Sequence, residues 1–179
     1  KMSFQDHRGL FVKNLESKFS YTKKQILLTD LDIMTASSLF KGNVALSYKR
    51  QDFQDFNNKV HFNILIDQAS LATNDIRYFY NEIGKNQTFN LKAHVTGTLN
   101  DLTARQMKLI DSKNSQIVGN VNFRNLFGNS NQPFYMKGDF NKVASNYNDL
   151  ITLLPNVLGT KLPSSLKKLG QFNIRGKAE

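Results

Sequence analysis

"QIVGNVNF", residues 116–123, alternates as a half-buried strand does: Ile117, Val121 and Phe123 share one parity, Val118, Asn120 and Asn122 the other. Gly119 breaks the pattern. It stands on the apolar parity between Ile117 and Val121, where a core strand normally carries a large side chain, and a strand-interior glycine loses both packing and backbone entropy. The device recurs, with Gly42 between Phe40 and Val44, Gly97 between Val95 and Leu99, Gly138 between Met136 and Phe140, and Gly176 between Ile174 and Ala178. Half of the ten glycines are spent this way. A penalty repeated so often points to a geometric requirement. If a sheet curls along its strands until the apolar face lines a gutter, side chains on the concave side converge at the bend, and residues without a Cβ relieve the crowding. A small closed barrel places glycines at its corners in a similar way.

Outward from that stretch, period two continues. Phe11, Leu15, Phe19 and Tyr21 share a parity, followed by Leu27, Leu31 and Ile33, and then by Phe40, Val44 and Leu46. Phe62, Ile64 and Ile66 make a further set, as do Leu91, Ala93, Val95 and Leu99. Short polar turns such as "TASS" (35–38) and "DSKN" (111–114) fit antiparallel hairpins. Residues 31–44, "LDIMTASSLFKGNV", slide without a gap onto 108–121, "KLIDSKNSQIVGNV", equating Ile33 with Ile110, Ser38 with Ser115 and "GNV" with "GNV". This is the signature of a stacked β array. Three segments switch to a helical period, near 73–84, 145–155 and 164–169. The expected fold is mainly β: a strongly curved antiparallel sheet of stacked hairpins around a U-shaped groove, with two or three short inserted helices.

With 179 residues, 40% hydrophobic and 21% charged, the chain has the composition of a folded protein. No apolar run approaches the roughly 18 residues of a membrane span, and the first ten residues hold no signal-like stretch. Cysteine is absent, so there is no disulfide framework, thiolate metal site or cysteine nucleophile. The net charge of +10 rests mainly on lysine. Nucleic-acid binding normally adds clustered arginines, stacking aromatics or a known module, and none is visible. Lysines dispersed on polar strand faces read as solubilising residues, and weak attraction to anionic lipid headgroups fits the same charge.

"TNDIRYFYNEIGKNQTFNLKAHVTGTLNDL", "IVGNVNFRNLFGNSNQPFYMKGDF", "SNYNDLITLLPNVLG" and "LPSSLKKLGQFNIRGKAE" resemble the periplasmic repeat region of TamB-type translocation and assembly proteins, large members of the AsmA-like group of Gram-negative envelopes. The resemblance runs from about residue 26 onward. It implies a β-taco, a U-shaped sheet with an apolar groove, periplasmic and belonging to a protein anchored in the inner membrane, with residues 1–179 as one segment of a longer repetitive domain. It further implies phospholipid movement between the two membranes, or outer-membrane protein assembly with a TamA-type barrel engaged by other parts of the parent. The partners it implies are phospholipid acyl chains, that barrel and neighbouring β segments of the same chain, with no nucleic acid.

An acyl chain leaving a bilayer for water loses about 0.8 kcal/mol per methylene, a cost that an apolar trough removes. The residues expected to line it are Phe40, Val44, Leu46, Phe62, Ile64, Ile66, Val95, Leu99, Ile117, Val121, Phe123, Met136, Phe140 and Ile174, with Gly42, Gly97, Gly119, Gly138 and Gly176 at the bend. The same apolar set serves equally as an ordinary sandwich core, which would suit a structural or adhesive β domain. Chemistry is not expected. His7, His61 and His94 are dispersed, and no HExxH, GxSxG, P-loop or GxGxxG pattern occurs. Asp30 and Asp32 share a polar strand face without the dense oxygen-ligand spacing of a calcium site. The chain is therefore expected to be no enzyme and to need no cofactor or metal.

Overall fold

In the computed structural model, which describes residues 1–81, 83–126, 133–153, 155 and 164–179, ten strands form one antiparallel sheet in chain order. They are β1 (Met2–Gln5), β2 (Phe11–Tyr21), β3 (Gln25–Met34), β4 (Leu39–Ser47), β5 (His61–Ala72), β6 (Thr88–Thr98), β7 (Asp101–Asp111), β8 (Gln116–Arg124), β9 (Tyr135–Asn146) and β10 (Gln171–Ala178). Each strand pairs with its sequence neighbours, and β1 and β10 remain edges, so the sheet is open and curved, as expected, rather than a closed barrel.

The curvature has a local cause. From β3 onward every odd strand carries one extra residue near its middle, between Leu28 and Leu31, Ile66 and Ala69, Ala104 and Met107, and Phe140 and Val143. Such bulges bend a strand and increase its twist. Because they recur at one level, the bends align into a crease. The register across that crease reads Leu31, Gly42, Ile66, Ala93 on β3–β6 and Met107, Gly119, Phe140, Gly176 on β7–β10. Large residues on the bulged strands therefore alternate with Gly or Ala on the regular ones.

Two of the bulges hold a non-glycine residue at positive φ, Asp30 (φ 53) and Gln106 (φ 51). Their amides, turned away from the ladder, are accepted by Asn43 Oδ1 at 3.0 Å and Asn120 Oδ1 at 2.9 Å. The repeated "GNV" is thereby explained: the glycine sits at the crease, the asparagine caps the neighbouring bulge, and the valine faces inward. The equivalence of the first strands differs from the ungapped alignment. Ile33 opposes Phe40 and Leu109 opposes Ile117, so Ile33 corresponds to Leu109 and not to Ile110. The second copy has one more residue in its turn, closed by Asp111 N to Ser115 O where the first is closed by Thr35 N to Ser38 O.

The helices repeat as well. After β5 comes α2 (Thr73–Ile76) and after β9 comes α3 (Tyr147–Leu153), each with an aspartate as its third residue. Asp75 Oδ2 accepts from Thr35 Oγ1 and Ser38 Oγ, both at 2.6 Å, whereas Asp149 Oδ1 binds Lys113 Nζ at 2.7 Å. Each helix is thus tied to the turn between the first two strands of its own four-strand unit, β3–β6 or β7–β10. The helix expected over 73–84 is only one turn long, because Arg77 Nη1 reaches the carbonyls of Asn81 and Ile83 and draws the chain into a loop. The expected 145–155 helix begins two residues later, since 145 and 146 still belong to β9, and residue 154 lies outside the described residues. The third, over 164–169, is the 3-10 helix Ser164–Leu169. A 3-10 helix Arg50–Asp55 and α1 (Phe56–Lys59) between β4 and β5 had no expectation. They close the opposite rim, where Tyr48, Phe53, Phe56 and Phe62 stack in a chain with ring centroids 4.7–6.2 Å apart.

Candidate functional site: an apolar trough

A single sheet normally leaves one face wet. Here the concave face shields itself. Ile66, Ala69, Ala93, Ala104, Met107 and Val121 form one buried cluster, with Val121 only 2% exposed. Ile66 and Ala69 both point inward although three residues apart, as do Ala104 and Met107, because the bulge between them resets the parity. Burying a side chain the size of Val121 contributes about 1.5–3 kcal/mol. This cluster holds the curl together.

Three rows of directly opposed residues run across the strands inside the trough. On one wall lie Ile33, Phe40, Ala69 and Leu91, and then Leu109, Ile117, Val143 and Ile174. On the other lie Val44, Ile64, Val95, Ala104 and Val121, with Gly138 and Ala178 continuing the row. Above that row run Leu46, Phe62, Gly97, Leu102, Phe123 and Met136. Of the residues expected to line the trough, Phe40, Ile64, Val95, Ile117, Phe123, Met136 and Phe140 pack against the buried cluster, while Ile66 and Val121 belong to it. Val44, Leu46 and Phe62 take the same face by register. Ile174 completes the wall at β10.

Leu99 does not belong with them. It occupies the two-residue turn between β6 and β7, and Leu102 takes the row it was expected to fill. The bend glycines also divide. Gly42, Gly119 and Gly176 stand in the crease row, but the β6 member of that row is Ala93. Gly97, at φ +119, instead flanks the β6–β7 hairpin, where a Cβ would lie 2.0 Å from the Asp101 carbonyl oxygen. Gly138 opposes Val121 one row away from the crease. Ala93 stands in the apolar alternation but outside the expected lining, and Ala69, Ala104 and Met107 escape the sequence reading altogether. Their signal is a three-residue spacing inside a period-two run, as in "ARQM" (104–107). The same resets turn Leu27 outward, opposite Ala45, and a further bulge on β2 between Val12 and Leu15 leaves Phe11 51% exposed while Val12 is buried.

Side chains fill the middle of the trough, and space opens toward the ends. A cavity of about 370 Å³ lies over β7–β10, walled by Leu109, Ile117, Phe123, Met136, Phe140, Val143, Phe172 and Ile174 and roofed by Leu150 of α3 and Leu166. Arg175 and Lys177, the charged residues at its edge, flank Gly176 on the opposite parity, so their side chains point away from the interior. A second cavity of about 190 Å³ lies over β3–β5, between Ile33, Phe40 and Leu71 on the wall and Ile76 and Phe79 beyond the start of α2. At the β1–β2 end the same face is bare, with Met2 56%, Phe19 65% and Tyr21 63% exposed.

The polar residues considered for chemistry lie outside the trough. Asp30 pairs with Lys18 at 2.7 Å and Asp32 with Lys41 at 2.9 Å. His94 Nε2 is 2.7 Å from Asn63 Oδ1 on the outer face, and His61 is exposed. No helix among the described residues is long and apolar enough to cross a membrane. No family model matches the chain, and neither a curated protein nor a solved structure matches it.

Proposed function

We propose that this chain binds lipid acyl chains in its apolar trough and acts as a segment of a conduit that carries phospholipid across an aqueous compartment, in the manner of the TamB and AsmA-like proteins its sequence resembles. The observation that carries the proposal is the cavity over β7–β10: about 370 Å³, apolar on its walls and roof, and within the size range of small-molecule sites. A tail placed there exchanges water for methyl and aromatic contacts, at about 0.8 kcal/mol per methylene. Among the described residues the trough offers no ordered set of polar groups to fix a tail at one depth, which suits sliding better than tight recognition. Passage through the packed middle requires Met107, the flexible member of the buried cluster, to swing aside.

The test is native mass spectrometry of the purified chain for co-purified phospholipid, combined with a photo-crosslinking residue at Phe123 in cells. Lipid adducts at Phe123 and none at outward-facing Asn122 are expected. Adducts at neither position, or equally at both, would refute the conduit. A second function, β-augmentation of an assembling outer-membrane strand with a TamA-type partner, is favoured by the exposed outer edge of β10. It predicts that a free peptide of residues 171–178 competes with that partner for the edge.

A further inference from the structure

The charge of the outer face is segregated along the strand stack. On β2–β5 that face carries Glu16, Asp30, Asp32 and Asp67 against Lys13, Lys18 and Lys41, and two of these lysines, Lys18 and Lys41, are engaged with Asp30 and Asp32. On β6–β10 it carries Lys92, Arg105, Lys108, Lys142, Arg175 and Lys177, none in an ion pair among the described residues, against one unpaired acid, Asp139. The remaining charges there, Arg124 with Asp101 and Lys137 with Glu179, neutralise each other.

Lys92 directly opposes Lys108. Like charges in facing positions destabilise a sheet, so the arrangement is unfavourable for folding alone. At about 4.8 Å per strand the patch is roughly 19 Å wide. Beside it, at the rim that joins β9 to β10, Leu169 is 57% exposed next to Lys167 and Lys168.

We propose that the outer face of β6–β10 docks on an anionic phospholipid bilayer, setting the β10 end of the molecule against the membrane and the β2–β5 half away from it. Charge complementarity selects the partner. A broad cationic face matches a plane of phosphate headgroups, and an exposed apolar residue directly after a lysine suits the interface between headgroups and acyl chains. A single-stranded nucleic acid would want several aromatic rings interleaved with the cations, whereas the ring this face offers among the described residues, Tyr135, lies at its rim under Arg124 and away from the six. The proposal concerns the outer surface and does not depend on what fills the trough.

Flotation of the full 179-residue chain with vesicles tests it. Binding is expected to vesicles containing 30% phosphatidylglycerol but not to pure phosphatidylcholine, and to fall as salt rises. Each lysine near an anionic surface changes partitioning by about fivefold. The triple variant Lys92→Gln, Lys108→Gln, Lys142→Gln should therefore bind at least tenfold more weakly. The charge-matched variant Lys13→Gln, Lys23→Gln, Lys24→Gln, altered at the opposite end, should bind within twofold of the parent. Circular dichroism confirms that both are folded. Equal loss in the two triples would reduce the effect to net charge and overturn the docking face. Failure to float with anionic vesicles would do the same, as would binding to a DNA or RNA oligonucleotide in its place.

Discussion

Around Gly119 the backbone of β9 comes so close that a Cβ would lie 2.3 Å from the Asp139 carbonyl oxygen and 2.8 Å from Phe140 Cα. The obstacle is main chain on both counts, so relief requires the strands to part. At Gly138 the added carbon would instead meet the Phe140 ring, which can rotate away. Gly119→Ala should therefore cost about 1–3 kcal/mol, and Gly138→Ala clearly less, as thermal denaturation of the two variants would show; equal losses would deny the crease its special role. Asn120 is the partner of that glycine in function. Its carboxamide holds the amide of Gln106 in a conformation that residues with side chains rarely adopt. Asn120→Ala should lower stability by about 1 kcal/mol, and Asn43→Ala should act alike at Asp30. The glycines of the crease were legible in the sequence because glycine is rare inside strands. The bulges that make them necessary were not, because Gln106 and Asp30 are ordinary polar residues whose conformation is imposed by the neighbouring strand.

The helices illustrate the next scale. At Tyr147–Leu153, α3 is too short to be stable alone; it keeps its place because Leu150 is buried over the cavity and Asp149 is bound to Lys113 and to Asn146 Nδ2. Asp149→Asn removes the ion pair while keeping the size of the side chain. It should raise amide exchange in α3 without changing that of β5–β8, and uptake of an apolar dye into the cavity over β7–β10 should rise as the roof loosens. Strand β10 is held differently. Next to its last residue, Glu179 accepts from the Tyr135 hydroxyl and lies 3.2 Å from Lys137 Nζ, and the hydrogen bond first, with the lysine second, holds the Glu179 carboxyl below the ordinary value. The folded value being the lower one, this tie is complete above the range in which unfolded carboxylates titrate. It is lost as the pH falls through the folded value. A carboxyl-carbon NMR titration should find Glu179 titrating below the exposed glutamate of a reference peptide; Tyr135→Phe should move it back.

At the scale of the molecule, ten strands in chain order give a stack whose middle is dry and whose ends are open. Opening free energy should follow that order: amides of β5–β8, flanked by the buried cluster, should exchange slowest, and those of β1 and β10 fastest, as hydrogen exchange with mass spectrometry resolves. Uniform protection across all ten strands would contradict a core confined to the centre. The period-two alternation, the short polar turns and the repeated glycine by themselves determined that the chain is a curved antiparallel array, because each is a property of neighbours in sequence. Which residues meet inside it was decided only by the tertiary structure. Every bulge resets parity by one residue, which brings Ala69 and Met107 inward on the far side of Ile66 and Ala104 and turns Leu27 outward, while register against β5 puts Ala93 and not Gly97 in the crease. The division of charge between the two halves of the outer face has the same origin: lysines far apart along the chain become neighbours only when register lays their strands side by side.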